Sequence, residues 1–116
     1  MRTKTMLIAA ATALTLSAGA VAAQQGHMDA RHMTAMNQFM ASMKKMDQQM
    51  MAAKGATVDE MFARKMRAHH QGAIDMAEIE LRNGSDPEAK RLAQKTIEEN
   101  RQGIQELDTF LGSHRH

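Results

Sequence analysis

Two adjacent histidines, His69 and His70, follow Met66 by one helical turn. Residues three and four apart lie on one face of a helix, so these three side chains would project together. Neutral imidazole is a good ligand for copper, and soft thioethers select Cu(I) or Ag(I) over hard cations. The pattern predicts a copper site at these residues, with Met76 as a further sulfur on or beside the same face. A lone histidine there would more often be a packing residue.

Methionine is concentrated in the segment before this pattern. The chain has 13 Met, and no Leu, Ile or Val occurs between Met28 and Thr57. On a helix, eight of these methionines fall within one arc of about 140°. The arc contains Met28, Met33, Met36, Met40, Met43, Met46, Met50 and Met51, with His32 and Phe39 in the same arc.

A methionine stripe at helical spacing is usually core, because Met packs adaptably. The apolar seam of the third predicted helix nevertheless contains no Met and uses Leu92, Ala93, Ile97, Ile104, Leu107 and Leu111. Packing explains why the positions of the arc are apolar but not why they are thioethers, since Leu and Ile specify packing better than Met. We therefore expect part of the arc to supply partner sulfurs for the histidine pair. The expected ligands are Met33, Met36, Met40 and Met43, with His32 beside them.

Three helices are predicted to position these side chains. They span about Asp29 to Ala53, Val58 to Arg82 and Pro87 to Leu111. Helices of near-equal length joined by short loops predict an all-α antiparallel helical bundle of about three helices. Dimerisation would complete a four-helix arrangement.

Each predicted helix begins at a capping signal. Asp29 is the expected cap of the first helix, and Thr57 forms a capping box with Glu60 at the second. At the third helix, Ser85 offers another capping box and Asp86 is the alternative cap. Asp59 has two interpretations: a carboxylate that holds the tautomer of a ligand histidine, or a charge at a helix N-terminus.

Residues 1–23 read as a secretory signal peptide. Arg2 and Lys4 precede an apolar stretch from Met6 to Leu16, and a small-residue region ends at Ala23. The alternative is a retained anchor, but the apolar stretch is short for a membrane span of about 20 residues. We expect cleavage after Ala23 and a mature single Met- and His-rich domain, residues 24–116, in the periplasm without a membrane segment.

Charge and composition exclude several classes of function. The chain has 15 Lys and Arg against 13 Asp and Glu, and loss of Arg2 and Lys4 leaves 13 of each. A balanced chain with interspersed charges has no electrostatic footprint for nucleic acid. The absence of Cys excludes disulfides and thiolate metal sites. No Glu-x-x-His motif, Gly-rich phosphate loop or serine nucleophile beside a base is legible, so we expect no enzymatic activity.

The second predicted helix carries the pattern Asp59-x-x-Phe62-x-x-x-Met66-x-x-His69-His70-x-x-Ala73-Ile74-x-Met76-Ala77, and Asp86-Pro87 follows it. This pattern resembles that of a bacterial family of unknown function, domain of unknown function family 305, which includes CopM-like periplasmic copper-binding proteins. The resemblance is most specific over 69–77 and covers about 57–111. It implies a ferritin-like helical bundle that binds copper through Met and His, in proteins often associated with copper or silver resistance.

The third helix departs from the family pattern. Asn100, Gly103, Leu107 and Phe110 stand where the family often shows Gln, Glu, Met and Trp. A Met ligand on that helix is therefore missing, and a site between the first and second helices fits this sequence better.

Three functions are compatible with these features. The first is a non-catalytic periplasmic copper-binding protein that buffers or carries Cu(I), with Cu(II) or Ag(I) as alternatives, in copper tolerance. Its expected partners are the metal ion, a second copy of the chain and a copper-handling protein. The second is a chaperone-like interaction module whose Met surface holds client segments without metal. The third, a b-type haem bundle with Met and His axial ligands, would need a haem-sized cavity.

Overall fold

The computed structural model describes the backbone of residues 18–114 and the side chains of residues 30–114. Three helices fill this part of the chain: α1 (Ala18–Ala52), α2 (Val58–Asn83) and α3 (Pro87–Ser113). No strand occurs among the described residues. The prediction of an all-α helical bundle is therefore confirmed. Residues 1–17 of the predicted signal peptide and the side chain of Met28 lie outside the described residues.

The first helix begins earlier than predicted. It starts at Ala18, so Asp29 lies inside α1 and is not its cap. The preceding stretch is rich in Ala, the strongest helix former, and contains no Pro. This stretch therefore continues the helix. The helix propensity of Asp29 is only slightly unfavourable, so this residue does not interrupt α1 and no new helix begins there. None of the described helices is long and apolar enough to cross a membrane.

The other two helices begin where their capping signals predicted. At α2, the Thr57 hydroxyl accepts from the Glu60 amide at 3.1 Å, and the Glu60 carboxylate accepts from the Ala56 amide at 2.8 Å. At α3, the Asp86 carboxylate accepts from the amides of Glu88 and Ala89 at 2.8 and 3.0 Å. The alternative cap Asp86, not Ser85, therefore begins α3. These contacts satisfy amides that the first helical turn leaves free.

The seam between α2 and α3 contains the hydrophobic core. Ile74 and Ala77 of α2 pack with Ala93 and Ile97 of α3, all at most 6% exposed. The alanines allow the helix backbones to approach, and the isoleucines fill the space between them. Two partly buried residues, Leu81 and Ile104, extend this core.

A paired hydrogen bond fixes the register of the same two helices. Arg67 donates through Nε and Nη2 to the two carboxylate oxygens of Asp108, at 2.6 and 3.3 Å. The hydrogen bond raises the pKa of Arg67 above its already high ordinary value. Because Arg67 lies early in α2 and Asp108 late in α3, the contact also shows that the two helices are antiparallel.

The seam between α1 and α2 is more polar. Lys45 donates to Asp75 at 3.2 Å, and Asn83 donates to the side-chain oxygen of Gln38 at 2.9 Å. Ser42, which lies between them on α1, is buried. These pairs run in opposite directions along the two helices, so α1 and α2 are antiparallel as well.

The three helices form an open layer. Both α1 and α3 pack on α2, whereas the backbones of α1 and α3 make no direct contact in the described part of the chain. Only their C-terminal ends come near each other, where they line one cavity beside Arg64 and Arg67. The molecule extends 23 and 15 Å in its two shorter directions. Three helices side by side, with axes about 9 Å apart, account for a width near 23 Å. Both faces of α2 outside its two seams therefore face solvent.

Candidate metal centre

The methionine arc of α1 is turned away from α2. The residues of α1 that face α2 include Gln38, Ser42 and Met46, so only the edge of the arc, at Met46, faces α2. Its exposed members are between 41 and 81% accessible to solvent: Met33, Met36, Met40, Met43 and Met51. These thioethers therefore do not form the packing surface of α1 within one chain.

A contact between the helices shows which side of the layer the arc occupies. On α1, Lys45 and Met43 flank the α2-facing residues on opposite sides, since successive residues turn by about 100°. On α2, Asp75 and His69 flank the α1-facing Gly72 in the same way. Lys45 is bonded to Asp75, so these two share one side of the layer. Met43 and His69 therefore share the other.

The second seam has the same two sides. Arg67 and Asp108 are bonded on the side that carries Lys45 and Asp75, which we call the charged face. Met66 on α2 and Leu92 on α3 lie across their helices from these bonded residues. We call the opposite side of the layer the Met/His face. It carries Met36, Met40, Met43, Phe62, Met66, His69, Leu92 and Phe110.

The register of α1 on α2 divides the predicted sulfur ligands. Lys45 lies opposite Asp75 and Met46 contacts Gly72, so Met43 and Met46 lie at the height of Met76. His69 lies about 10 Å from Met43 along the helix axes, at the level of Met50 and Met51. Met76 and Met46 are half-buried, whereas Met43 is exposed. The structure thus brings part of the predicted set to one stretch of the first seam.

The remaining predicted ligands of α1 lie further along. Gln38 already reaches Asn83, the last residue of α2, which is about 21 Å from His69 along the helix. Met33, Met36 and His32 precede Gln38 and so lie beyond that point. The exposed His32 lines a shallow groove with Phe39, Glu80 and Asn83 at the α2–α3 loop. Met40 lies between the two groups and is exposed.

His70 lies at the seam between α2 and α3, not at the first seam. Its Nδ1 is 2.6 Å from the side-chain oxygen of Asn100. The orientation of that amide is fixed, because Asn100 donates its Nδ2 to the carbonyl of Thr96 at 2.8 Å. Its oxygen therefore accepts from His70, so the neutral ring carries its proton on Nδ1. Nε2 keeps a lone pair with which it could bind a metal.

The bare backbone of Gly103 supports the His70 ring. A Cβ at Gly103 would lie 3.1 Å from Nε2, 3.2 Å from Cδ2 and 3.6 Å from Cε1. An atom directly in front of the Nε2 lone pair would be equally far from Cδ2 and Cε1. Both of these distances would also be clearly longer than its distance to Nε2. The glycine therefore lies against the face of the ring. The lone pair, which is in the ring plane, is not directed at this position.

The other side chains of the predicted pattern surround His70 on α2. His69 is exposed and meets the His70 ring edge-on, with ring centroids 6.2 Å apart. Met66, one turn before His70, is half-buried. Asp59 lies about 16 Å away along α2, so Asn100 and not Asp59 makes the hydrogen bond to His70.

The sequence assigned no site role to three residues that the structure places in this region: Met46, Asn100 and Gly103. Met46 was one of eight methionines in the arc, and only the close approach to Gly72 distinguishes it. The chain separation of 30 residues between His70 and Asn100 gives no local signal. Gly72, within the His69–Ala77 motif, was the available clue to a contact with another helix, because a glycine inside a helix often marks a close approach.

The donor set fits a soft metal better than a hard one. Among the described residues, no three His, Asp or Glu side chains converge on one point. The side chains that the structure groups on α2, Met66, His69, His70 and Met76, offer imidazoles and thioethers. Such ligands suit Cu(I) and Ag(I), whereas Mg²⁺ and Ca²⁺ require oxygen ligands.

The fold and this donor set define a class: small helical proteins that present thioethers and imidazoles on one face. Residues 4–111 match the family described as Domain of unknown function (DUF305). Since the match covers most of the chain, the protein belongs to this family. No curated protein matches the chain.

Proposed function

We propose that this protein is a non-catalytic periplasmic copper-binding protein that buffers or carries Cu(I), with Ag(I) and Cu(II) as weaker alternatives. The observation that supports this proposal most is the exposure of Met43, at the height of Met76, on the face that carries His69. Sulfur that packs no core in the single chain can serve as a ligand. The predicted signal peptide supports export, and the family resemblance supports a CopM-like role in copper tolerance.

The side chains have distinct roles in the proposed site. Copper, when bound, supplies no reaction here and is the cargo. His70 presents Nε2, with its ring held by Asn100 and supported by Gly103. Met76 lies towards α1, where Met43 and Met46 bring thioethers to its height, and His69 lies at the level of Met50 and Met51. Met66 adds a sulfur one turn from His70.

A competition titration tests the proposal. The purified secreted protein is titrated with Cu(I) in the presence of a chelator of known affinity, and we expect a dissociation constant below micromolar. The double variant His69→Ala with His70→Ala should bind at least tenfold more weakly. His114→Ala is the matched control, because His114 is exposed at the end of α3 and bonds its own helix at Phe110. Equal affinity of the double variant and the wild type would exclude the proposed site.

The same exposed face favours a second candidate, a metal-independent interaction module. Phe62 and Leu92 are 60 and 50% exposed beside the methionines, and flexible Met surfaces accept varied apolar segments. The variant Met43→Leu, Met46→Leu, Met76→Leu replaces thioethers of the proposed site and separates the two functions. Apolar binding should tolerate this change, whereas copper affinity should fall. Suppression of aggregation that is unchanged by the variant and by chelators would favour the interaction module.

A further inference from the structure

We propose that the Met/His face pairs with the same face of a second copy of this chain, so that two open layers form one two-layer helical domain. The proposal rests on the packing of the layer and does not depend on copper binding. It is supported by the state of the core, the distribution of charge between the two faces and the size of the face.

The single layer has little core of its own. Among the described residues, the buried hydrophobic side chains are three alanines, which are small, and only three isoleucines. No large side chain is fully buried among the described residues. Stable domains usually enclose a core between two packed layers of secondary structure. Here the side chains between adjacent helices are covered, but no second layer covers either face of the layer.

Only one of the two faces can be covered favourably. The charged face carries the bonded pairs Lys45–Asp75 and Arg67–Asp108, whose outer surfaces are well hydrated. The Met/His face instead exposes large apolar side chains on all three helices: Met40 at 62%, Phe62 at 60% and Leu92 at 50%. Burial of such side chains is favourable, whereas covering the ion pairs would cost their hydration.

The Met/His face has the size that a stable dimer needs. The 26 residues of α2 give the layer a length of about 39 Å at 1.5 Å per residue. With the width of 23 Å, one face has an area of roughly 900 Å². Specific protein interfaces of standard size bury about 800 Å² on each partner. Coverage of this one face therefore suffices for a specific dimer.

A second copy is the occupant that fits these features best. A partner that completes the core must be available to every copy of the protein as it folds. Another copy of the same chain meets this condition. A twofold interface needs a surface that is complementary to itself, and the apolar side chains of this face can pair with their own kind without matched charges. The exposed Asp47 and Glu99, on the two outer helices of the same face, would lie at the rim of the interface and stay hydrated. The predicted mature chain has 13 basic and 13 acidic residues, so two copies do not repel each other through net charge. In the dimer, the proposed copper ligands of the two copies would face each other, shielded from solvent.

The test measures the mass of the metal-free protein. Light scattering after size-exclusion chromatography with a chelator present should give twice the mass of one chain at micromolar concentration. The variant Met40→Lys with Phe62→Lys places charge on the proposed interface and should weaken dimerisation at least tenfold. Both residues are exposed in the single chain, so the helical fold of the monomer tolerates the change.

The matched control is Ala41→Lys, which adds a charge next to Met40 but beside the charged face, in the groove lined by Lys45 and Asp75. It should leave the dimer intact. A metal-free wild type with the mass of one chain, or equal weakening by the control and the interface variant, would overturn the proposal. If the metal-free protein is a dimer but does not bind added copper, only the proposed function is refuted. The two results are therefore distinguishable.

Discussion

The two helix–helix seams of this molecule, α2–α3 and α1–α2, differ in their residue composition. The seam between α2 and α3 is made of Ile and Ala side chains, with the Arg67–Asp108 pair at its edge. The seam between α1 and α2 combines polar bonds, a buried serine, Ile79 of α2 and one methionine in a glycine notch. The first arrangement holds two helices firmly. The second attaches a helix while leaving most of its methionines free.

This difference separates stability from the presentation of sulfur. The α2–α3 hairpin contains the described hydrophobic cluster, so it should be the most stable part of the molecule. Because α1 contributes little to that cluster, its apolar residues are free to be thioethers. The contrast explains why one chain uses Leu and Ile in one helix and Met in another.

The largest expected effect is at Ile97, which is 4% exposed at the centre of the α2–α3 seam. Ile97→Ala should lower the free energy of unfolding by about 3 kcal/mol, through lost burial and a residual cavity. Ile97→Val is the conservative control and should cost about 1 kcal/mol. Chemical denaturation followed by circular dichroism measures both. A loss from Ile97→Ala no larger than that from the valine control would show that this seam does not hold the fold.

The next effect concerns metal affinity and the hydrogen bond at His70. Asn100→Leu removes the oxygen that accepts from Nδ1, so the ring loses its fixed tautomer. Loss of such a partner typically weakens metal binding by about 10- to 100-fold. Nitrogen-15 NMR of the metal-free protein should report Nδ1–H in the wild type and a mixture of tautomers in the variant.

Asn100→Asp is the matched control for this prediction. Its carboxylate can still accept from Nδ1, so the Nδ1–H tautomer should persist. If the wild type already shows the Nε2–H tautomer, the assignment of Nε2 as the ligand nitrogen is wrong, whatever the copper affinity.

The sequence indicated the second seam far better than the first. The caps at Thr57 and Asp86 are local signals, and the Ile and Leu positions of α3 follow one helical period. A period identifies a face but not what covers it, so the methionine arc of α1 could be core or surface. The structure leaves most of it exposed because Ser42 and Met46, at the edge of the arc, face α2.

The candidate site was predicted in part for the same physical reason. Met66, His69 and His70 lie within one turn of one helix, so their spacing alone places them together. The contacts of His70 depend instead on the register of α3 against α2. That register is set by side chains 30 or more residues apart, which no local pattern encodes. Gly103 was visible only as a departure from the family pattern.

A substitution at Gly72 tests how α1 is attached. A Cβ there would overlap the Met46 side chain, so Gly72→Ala should force α1 away from α2. We expect a net loss of about 1–2 kcal/mol, since overpacking costs more than the gain in helix propensity. Amide exchange should accelerate in α1 and remain slow in the α2–α3 seam. The double variant Gly72→Ala with Met46→Ala should recover part of the loss, and a Gly72→Ala protein more stable than the wild type would contradict the notch.

The smallest effect on stability is expected at Gly103, the corresponding glycine of the other seam. A Cβ there would approach His70 Nε2 at 3.1 Å without the overlap found at Gly72, so the ring need shift only slightly. Ala gains about 1 kcal/mol of helix propensity over Gly, which should offset this shift. Gly103→Ala should therefore change the unfolding free energy by less than about 1 kcal/mol. Cu(I) affinity should still fall several-fold, because the ligand ring is displaced. If Gly103→Ala destabilises the protein as much as Gly72→Ala, with exchange accelerated in α3, the two glycines serve the same purpose. The α2–α3 seam would then depend on a close approach at a glycine, as the α1–α2 seam does, and the proposed difference between the two seams would be wrong.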